Sequence, residues 1–254
     1  MIFQRFMKII KYLIQFIIIC IFYVIFKIIG VKLSSFLSGK LFEIIGPVFR
    51  SKKIIDNNIR KAFPDYNYEE LNKIKSSMWN NYGRVFAEYL YMKNFRDGNL
   101  SKNISLEGED VLLNIRDQNK KVIFISGHFS NFELMAMQID KIGIKIGAIY
   151  RPLNNIFLNK FMERIRKKYI CNNQIKKGIG GLRELIKLNK QGFSTALMID
   201  QRVSQGIKFK MKVLEPIHFS KQDSIENITN KLNNILEKMI LANPNNWIWS
   251  HNRW

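Results

Sequence analysis

The sequence predicts an α/β protein: a mostly parallel sheet flanked by helices, behind an N-terminal membrane helix. Three observations carry this. Tyr12–Ile29 reads YLIQFIIICIFYVIFKII, an apolar run near 18 residues broken only by Gln15 and Lys27. That length is just enough to cross a bilayer as a helix. From Lys121 onward, short apolar runs of β type alternate with helical stretches, the pattern of parallel strands joined by covering helices. Finally, 47% of the 254 residues are apolar, enough for a sizeable core and too many for a disordered chain.

Taken in order, residues 1–30 are expected to form the anchor and 31–254 one further domain. Arg5, Lys8 and Lys11 precede the apolar run, and Lys27, Lys32 and Lys40 follow, so flanking charge gives no orientation. Gly30-Val31-Lys32 is a poor cleavage site, which argues against a removable signal peptide. A helix lying in the membrane surface stands as the alternative to a span. Residues 33–92 read as helical. Lys53–Phe63 stops at Pro64, which cannot continue a helix, and Asn67-x-x-Glu70 resembles a capping box opening the next one. Lys121–Ser126, Ile144–Tyr150 and Ser194–Ile199 read as strands. Asn131–Lys141, Asn154–Tyr169 and Gly181–Gln191 read as the helices between them. Val213–Phe219 is expected as a further strand. Asp223–Leu241 reads as an amphipathic helix with Ile225, Ile228, Leu232, Ile235, Leu236 and Met239 on one face, stopped by Pro244.

Charge and cysteine usage narrow the partners. A formal net charge of +21, from 41 Lys+Arg against 20 Asp+Glu, predicts an anionic partner, although an Ile-, Lys- and Asn-rich composition accounts for part of the excess. Nucleic acid is excluded, because no aromatic platforms interleave with the basic residues and no recognition fold is visible. Cys20 lies in the apolar run and Cys171 has no Cys or His at ligand spacing, so neither a disulfide framework nor a metal site is expected.

The chemistry concentrates in Ser126–Glu133. His128 follows the first strand of the alternating region, at the carboxyl edge where open α/β sheets place their ligands. Glu133 is five residues later, about 140° away on a regular helix, so the two meet only if His128 lies in the loop and Glu133 in the first helical turn. There a carboxylate can orient the imidazole, which acts as general base toward a hydroxyl. Ser130-x-x-Glu133 also reads as a plain capping box. Arg151 follows the Ile144–Tyr150 strand, stiffened by Pro152, and suits a phosphate or a developing oxyanion. Asp200 and Arg202 follow Ser194–Ile199 and read as a shaping ion pair or as substrate contacts. Gly178-Ile-Gly-Gly181 lacks the features of a P-loop and is read as a turn into a helix. Arg164, Arg166, Lys167 and Lys168 form a basic cluster, read as a docking face or a solvated one. Trp247, Trp249, His251 and Trp254 are expected to pack against the sheet.

The run Ser126–Glu133 resembles the H-x4-D/E motif of glycerolipid acyltransferases. More particularly, the chain resembles the late lipid A biosynthesis acyltransferases, the lauroyl and myristoyl transferases. The similarity extends in order through Arg60–Pro64, Trp79–Glu88, Gly127–Glu133, Tyr150–Asn155, Gly181–Glu184, Asp200–Ile207 and Asn243–Trp254. The resemblance implies a glycerolipid-acyltransferase-like fold and acyl transfer from an acyl carrier protein to a hydroxyl of a Kdo-bearing lipid A precursor. It implies His128 as base, Glu133 as its catalytic partner, and Asn131, Arg151, Asp200 and Arg202 as substrate-binding residues. It implies an inner-membrane protein on an anionic membrane, its catalytic domain facing the cytoplasm, with no metal or organic cofactor beyond the carrier-bound donor. The absence of a G-x-S-x-G elbow agrees with direct transfer. After Phe209 the pattern skips to a much later family segment, which implies an internal deletion near residue 210. The alternative is therefore an inactive truncated remnant or a non-catalytic membrane-associated protein.

Overall fold

The computed structural model describes residues 2–199 and 209–250. The first helix, α1 (Ile2–Ile45), runs past the expected anchor boundary and bends at it. Gly30 has φ 79° and ψ 166°, a conformation that a side chain would strain. Beyond the bend, α1 packs on α3 (Tyr68–Glu88) at very short range. Ser38 Oγ donates to the Gly83 carbonyl at 2.6 Å, and a Cβ at Gly83 would stand 2.0 Å from the Ser38 carbonyl oxygen. Between them, α2 (Lys52–Ala62) is capped by Ser51, whose Oγ accepts from Ile54 N–H at 3.4 Å. The expected capping box opens α3: Asn67 Oδ1 accepts from Glu70 N–H at 3.0 Å, and Glu70 Oε2 accepts from Asn67 N–H at 2.8 Å.

After the short α4 (Met92–Asp97) come β1 (Ile104–Glu107) and α5 (Glu109–Asp117), neither of which the sequence announces. The alternating region then forms with the three expected strands and the helices between them, and with one strand the sequence did not announce, β4: β2 (Ile123–Ser126), α6 (Glu133–Lys141), β3 (Ile146–Tyr150), α7 (Ile156–Tyr169), β4 (Asn173–Lys176), α8 (Ile179–Lys190) and β5 (Ser194–Met198). The four-stranded sheet has the order β2-β5-β3-β4, with every pairing parallel. Gly178, φ 133°, turns the chain into α8, and Gly181 lets that helix close on Lys176, whose carbonyl oxygen would lie 1.8 Å from a Cβ there.

The strand expected at Val213–Phe219 lies earlier. The observed β6 is Phe209–Lys212, paired in parallel with β1 from Ile104↔Phe209 to Glu107↔Lys212. The ladder ends where its template ends: Val213 N–H takes the Glu107 carbonyl at 2.7 Å, and Gly108, φ 80°, then turns β1 into α5. The last helix, α9 (Ile225–Ala242), agrees with the reading to within two residues, and Ser224 caps it.

Three apolar clusters support these layers. Leu112, Ile115, Ile139, Ile144, Ile146, Cys171 and Ala196 form the core of the main sheet and its helices. Met92, Phe95, Leu134, Met137, Ile170 and Phe209 join α4, α6 and β6. The third cluster corrects the tryptophan expectation. Trp247 and Trp249 pack into α2, α3 and α9, against Ile55, Ile59, Leu71, Ile74, Met78 and Trp79, rather than onto the sheet. They are 2% and 0% exposed, with ring centroids 4.8 Å apart, so they are core residues. His251 and Trp254 lie outside the described residues.

Candidate active site

The carboxyl end of β2 runs into the loop 127–132, which is folded by backbone bonds from Phe129 N–H to Gly127 O (2.8 Å) and from Phe132 N–H to Ser130 O (2.9 Å). Ser130 takes φ 47°, the left-handed region that a serine rarely occupies. His128 is half-buried in this loop, its ring edge-on to Phe132 with centroids 4.5 Å apart. Glu133 is the first residue of α6. This is the arrangement the spacing required, with the imidazole in the loop and the carboxylate in the first helical turn. The capping box expected at Ser130-x-x-Glu133 is out of register with the helix, since Phe132 is the cap residue and Glu133 the first helical one.

Glu133 is 6% exposed and turned into the protein. Its Oε1 accepts from Arg166 Nη2 at 2.6 Å, from Arg166 Nε at 2.9 Å and from the Tyr89 hydroxyl. Arg166 corrects an expectation, because it is 3% exposed and does not belong to a surface cluster with Arg164, Lys167 and Lys168. Its guanidinium lies 5.9 Å from the Tyr89 ring centroid and 5.2 Å from that of Tyr150. Burial opposes its charge, but the Glu133 carboxylate beside it prevails and raises its pKa above the ordinary value. A signal was available in the sequence. Met162, Ile165, Arg166 and Tyr169 share one helical face, and the three apolar members pack inward.

A second buried carboxylate stands behind the loop. Glu88, at the end of α3, is 0% exposed. Its Oε2 accepts from Asn131 Nδ2 at 3.1 Å and its Oε1 from Ser35 Oγ at 3.1 Å. Arg84 reaches the same Ser35 at 3.4 Å and Asn80 Oδ1 at 2.6 Å, and Asn80 in turn donates to Glu43 on α1. Burial pushes the Glu88 carboxyl up to about 7, against the opposing pull of Asn131, Ser35 and Arg84. Asn131, the expected substrate contact, is 3% exposed, and its Oδ1 accepts no hydrogen bond among the described residues.

Arg151 is exposed, one residue past the end of β3. With β5 between β2 and β3, it sits two strand spacings from the His128 strand, about 10 Å across the carboxyl edge. Asp200 and Arg202, expected as neighbours, lie outside the described residues. Cys171 is buried, and burial followed by the charge of Asp140 raises its thiol to about 12, which makes it a poor nucleophile. Among the described residues no three His, Cys, Asp or Glu side chains gather as metal ligands do.

Fold and site together define a class: a parallel α/β protein with a histidine and a carboxylate beyond its sheet's carboxyl edge, carried on an apolar helix of a length suited to a membrane. Within that class the sequence decides. The family model described as bacterial lipid A biosynthesis acyltransferase matches residues 1–207 and 202–254, and the chain belongs to that family. The chain is 26% identical over 152 residues to a protein of Escherichia coli (strain K12) named lipid A biosynthesis palmitoleoyltransferase, covering 60% of this chain and 48% of that one. The same figures hold for a Shigella flexneri protein named lipid A biosynthesis acyltransferase. The matched segment thus spans about half the length of these curated relatives.

Proposed function

We propose that this chain transfers a fatty acyl group from acyl carrier protein to a hydroxyl of a Kdo-bearing lipid A precursor, at the cytoplasmic face of the inner membrane. The observation that carries the reading is Glu133, buried at the start of α6 directly after the His128 loop, with Arg166 and Tyr89 both bonded to one of its oxygens. His128 takes the proton of the acceptor hydroxyl as that oxygen attacks the thioester carbonyl. The carbon–sulfur bond breaks, and the carrier thiolate takes the proton back from the imidazolium. Glu133 orients the imidazole and stabilises its charged form, and Arg166 holds the Glu133 carboxylate in place. Arg151 at the sheet edge meets an anionic part of the substrate, with Asn131, Asp200 and Arg202 as further contacts.

A second reading is an inactive remnant. The family match in two pieces that overlap at 202–207 favours it and agrees with an internal deletion close to residue 210.

One assay separates the two readings. Membranes carrying the protein are incubated with acyl-loaded carrier protein and a Kdo-bearing tetra-acyl precursor, beside the His128→Ala variant, and the lipid is weighed by mass spectrometry. A gain of one acyl mass that the variant lacks supports transfer. Its size distinguishes a lauroyl or myristoyl donor from the palmitoleoyl chain in the relative's name. No gain, with the protein present and a full-length relative active, supports the remnant.

A further inference from the structure

One side of the long apolar helix is docked on the folded domain. Its contacts with the folded domain begin close to the N-terminus. Asn155, the cap residue of α7, donates from Nδ2 to the Tyr12 carbonyl at 2.8 Å and to Gln15 Oε1 at 3.4 Å. Phe16 lies 6.1 Å from Phe157 and 6.4 Å from Phe161 between ring centroids. Tyr23 lies 5.7 Å from Phe161 and 5.1 Å from Phe86, and Phe26 lies 6.3 Å from Phe86. Tyr12, Phe16, Tyr23 and Phe26 recur at helical spacing, so one side of the helix faces the domain along this stretch.

The partner helix forbids deep immersion of the docked stretch. Arg151 and Asn154 just ahead of α7, and Lys160, Arg164, Lys167 and Lys168 on it, are exposed. Were Tyr12–Phe26 to cross a bilayer, α7 would enter it too, and these charges would have to sit in hydrocarbon. The outward side of α1 tells the same story. Phe6, Leu13, Ile17, Val24, Ile28 and Ile44 are all exposed, so uncovered apolar side chains lie on both sides of the bend at Gly30.

We infer that α1 lies along the membrane with its outward side in the acyl chains of one leaflet, and that it does not cross. Arg5, Lys8, Lys11, Lys27, Lys32 and Lys40 are exposed along the same helix and suit the anionic headgroups of that leaflet. The inference rests on the membrane association proposed above and adds its geometry. It also fixes the depth of the site. Asn155 touches α1, and Arg166 touches Glu133 eleven residues further along α7, about 16 Å away.

The test uses sealed inverted inner-membrane vesicles carrying the full chain, with one protease-cleavable hydrophilic tag ahead of Met1 and another after Trp254. Protease is added outside, with and without detergent. The expected result is equal access: both tags cut in intact vesicles, or both protected until detergent is added. One tag cut and the other protected means that the helix crosses, which overturns the inference while leaving membrane association standing. A chain that fails to sediment with the vesicles, or that carbonate strips away, overturns both.

Discussion

Two helices of the molecule carry similar amphipathic patterns and meet different fates. The nine-residue α6 buries Glu133, Leu134, Ala136, Met137, Gln138 and Ile139, because the sheet lies on one side of it and α4 on the other. The 18-residue α9 buries only Leu236 and Ile240, and Ile225 at its start is 85% exposed. A helical stripe states which side is apolar. Whether that side is covered depends on a second layer, and α9 has one only where it meets α2, α3 and Trp247–Trp249. The contrast falls on either side of the break between the two family matches. The part before the break holds two buried carboxylates with their partners, and after it the packing concentrates at the end of α9 and at Trp247–Trp249.

The largest effect should come from splitting the buried ion pair. Arg166→Ala removes the guanidinium that pairs with Glu133 in the interior and should cost about 3–5 kcal/mol in denaturant unfolding. Replacing both partners, Glu133→Gln with Arg166→Met, should recover much of that loss. If both variants are equally unstable, packing and not charge is the cause.

Next is Glu88. Burial pushes its carboxyl up to about 7 from the ordinary 4.5, so the folded state binds the proton more tightly. The stability this confers is complete below about pH 4.5 and is lost as pH rises through 7. Glu88→Gln should therefore flatten the wild-type fall between those values and gain up to about 3 kcal/mol above pH 7. An unchanged slope in the variant would mean that another group titrates there.

The helix comparison itself is tested within α9. Leu236→Ala should cost about 2–3 kcal/mol, whereas Ile225→Ser should stay within about 0.5 kcal/mol. Equal losses would show that the exposed end has a partner in solution. Smallest of all, Glu107 is held near 2 by hydrogen bonds from Lys210 and Lys212 but sits at the surface. Glu107→Gln should barely move the melting temperature at physiological salt.

Much of the chain was legible because its signals are local. The capping box at Asn67, the apolar runs of β2, β3 and β5, and the stripe of α9 each carry their own evidence. Asn173–Lys176 reads NQIK and becomes β4 only because β3 offers a ladder, and β1 and β6 likewise make each other. The loop placement of His128 and the helical start of Glu133 followed from five-residue spacing alone. Arg166 did not, since it stands in a run of basic residues whose neighbours are solvated. Glu88 was visible only as part of a stretch with family resemblance. That a carboxylate would be wholly buried there depends on Ser35 and Asn131 arriving from distant parts of the chain.

The helix α7 imposes a rule on how this sequence can change. Its first turn is fixed to α1 through Asn155, and its Arg166 must point at Glu133. Each residue of an α-helix advances the side-chain direction by about 100°. One residue gained or lost between those two positions would swing the guanidinium away from the carboxylate, whatever the amino acid. Substitutions there are graded in their effect, but a single-codon insertion or deletion is not. Length variation in such a lineage should collect in segments that connect no two fixed points, and the stretch from Asn155 to Arg166 should keep its count.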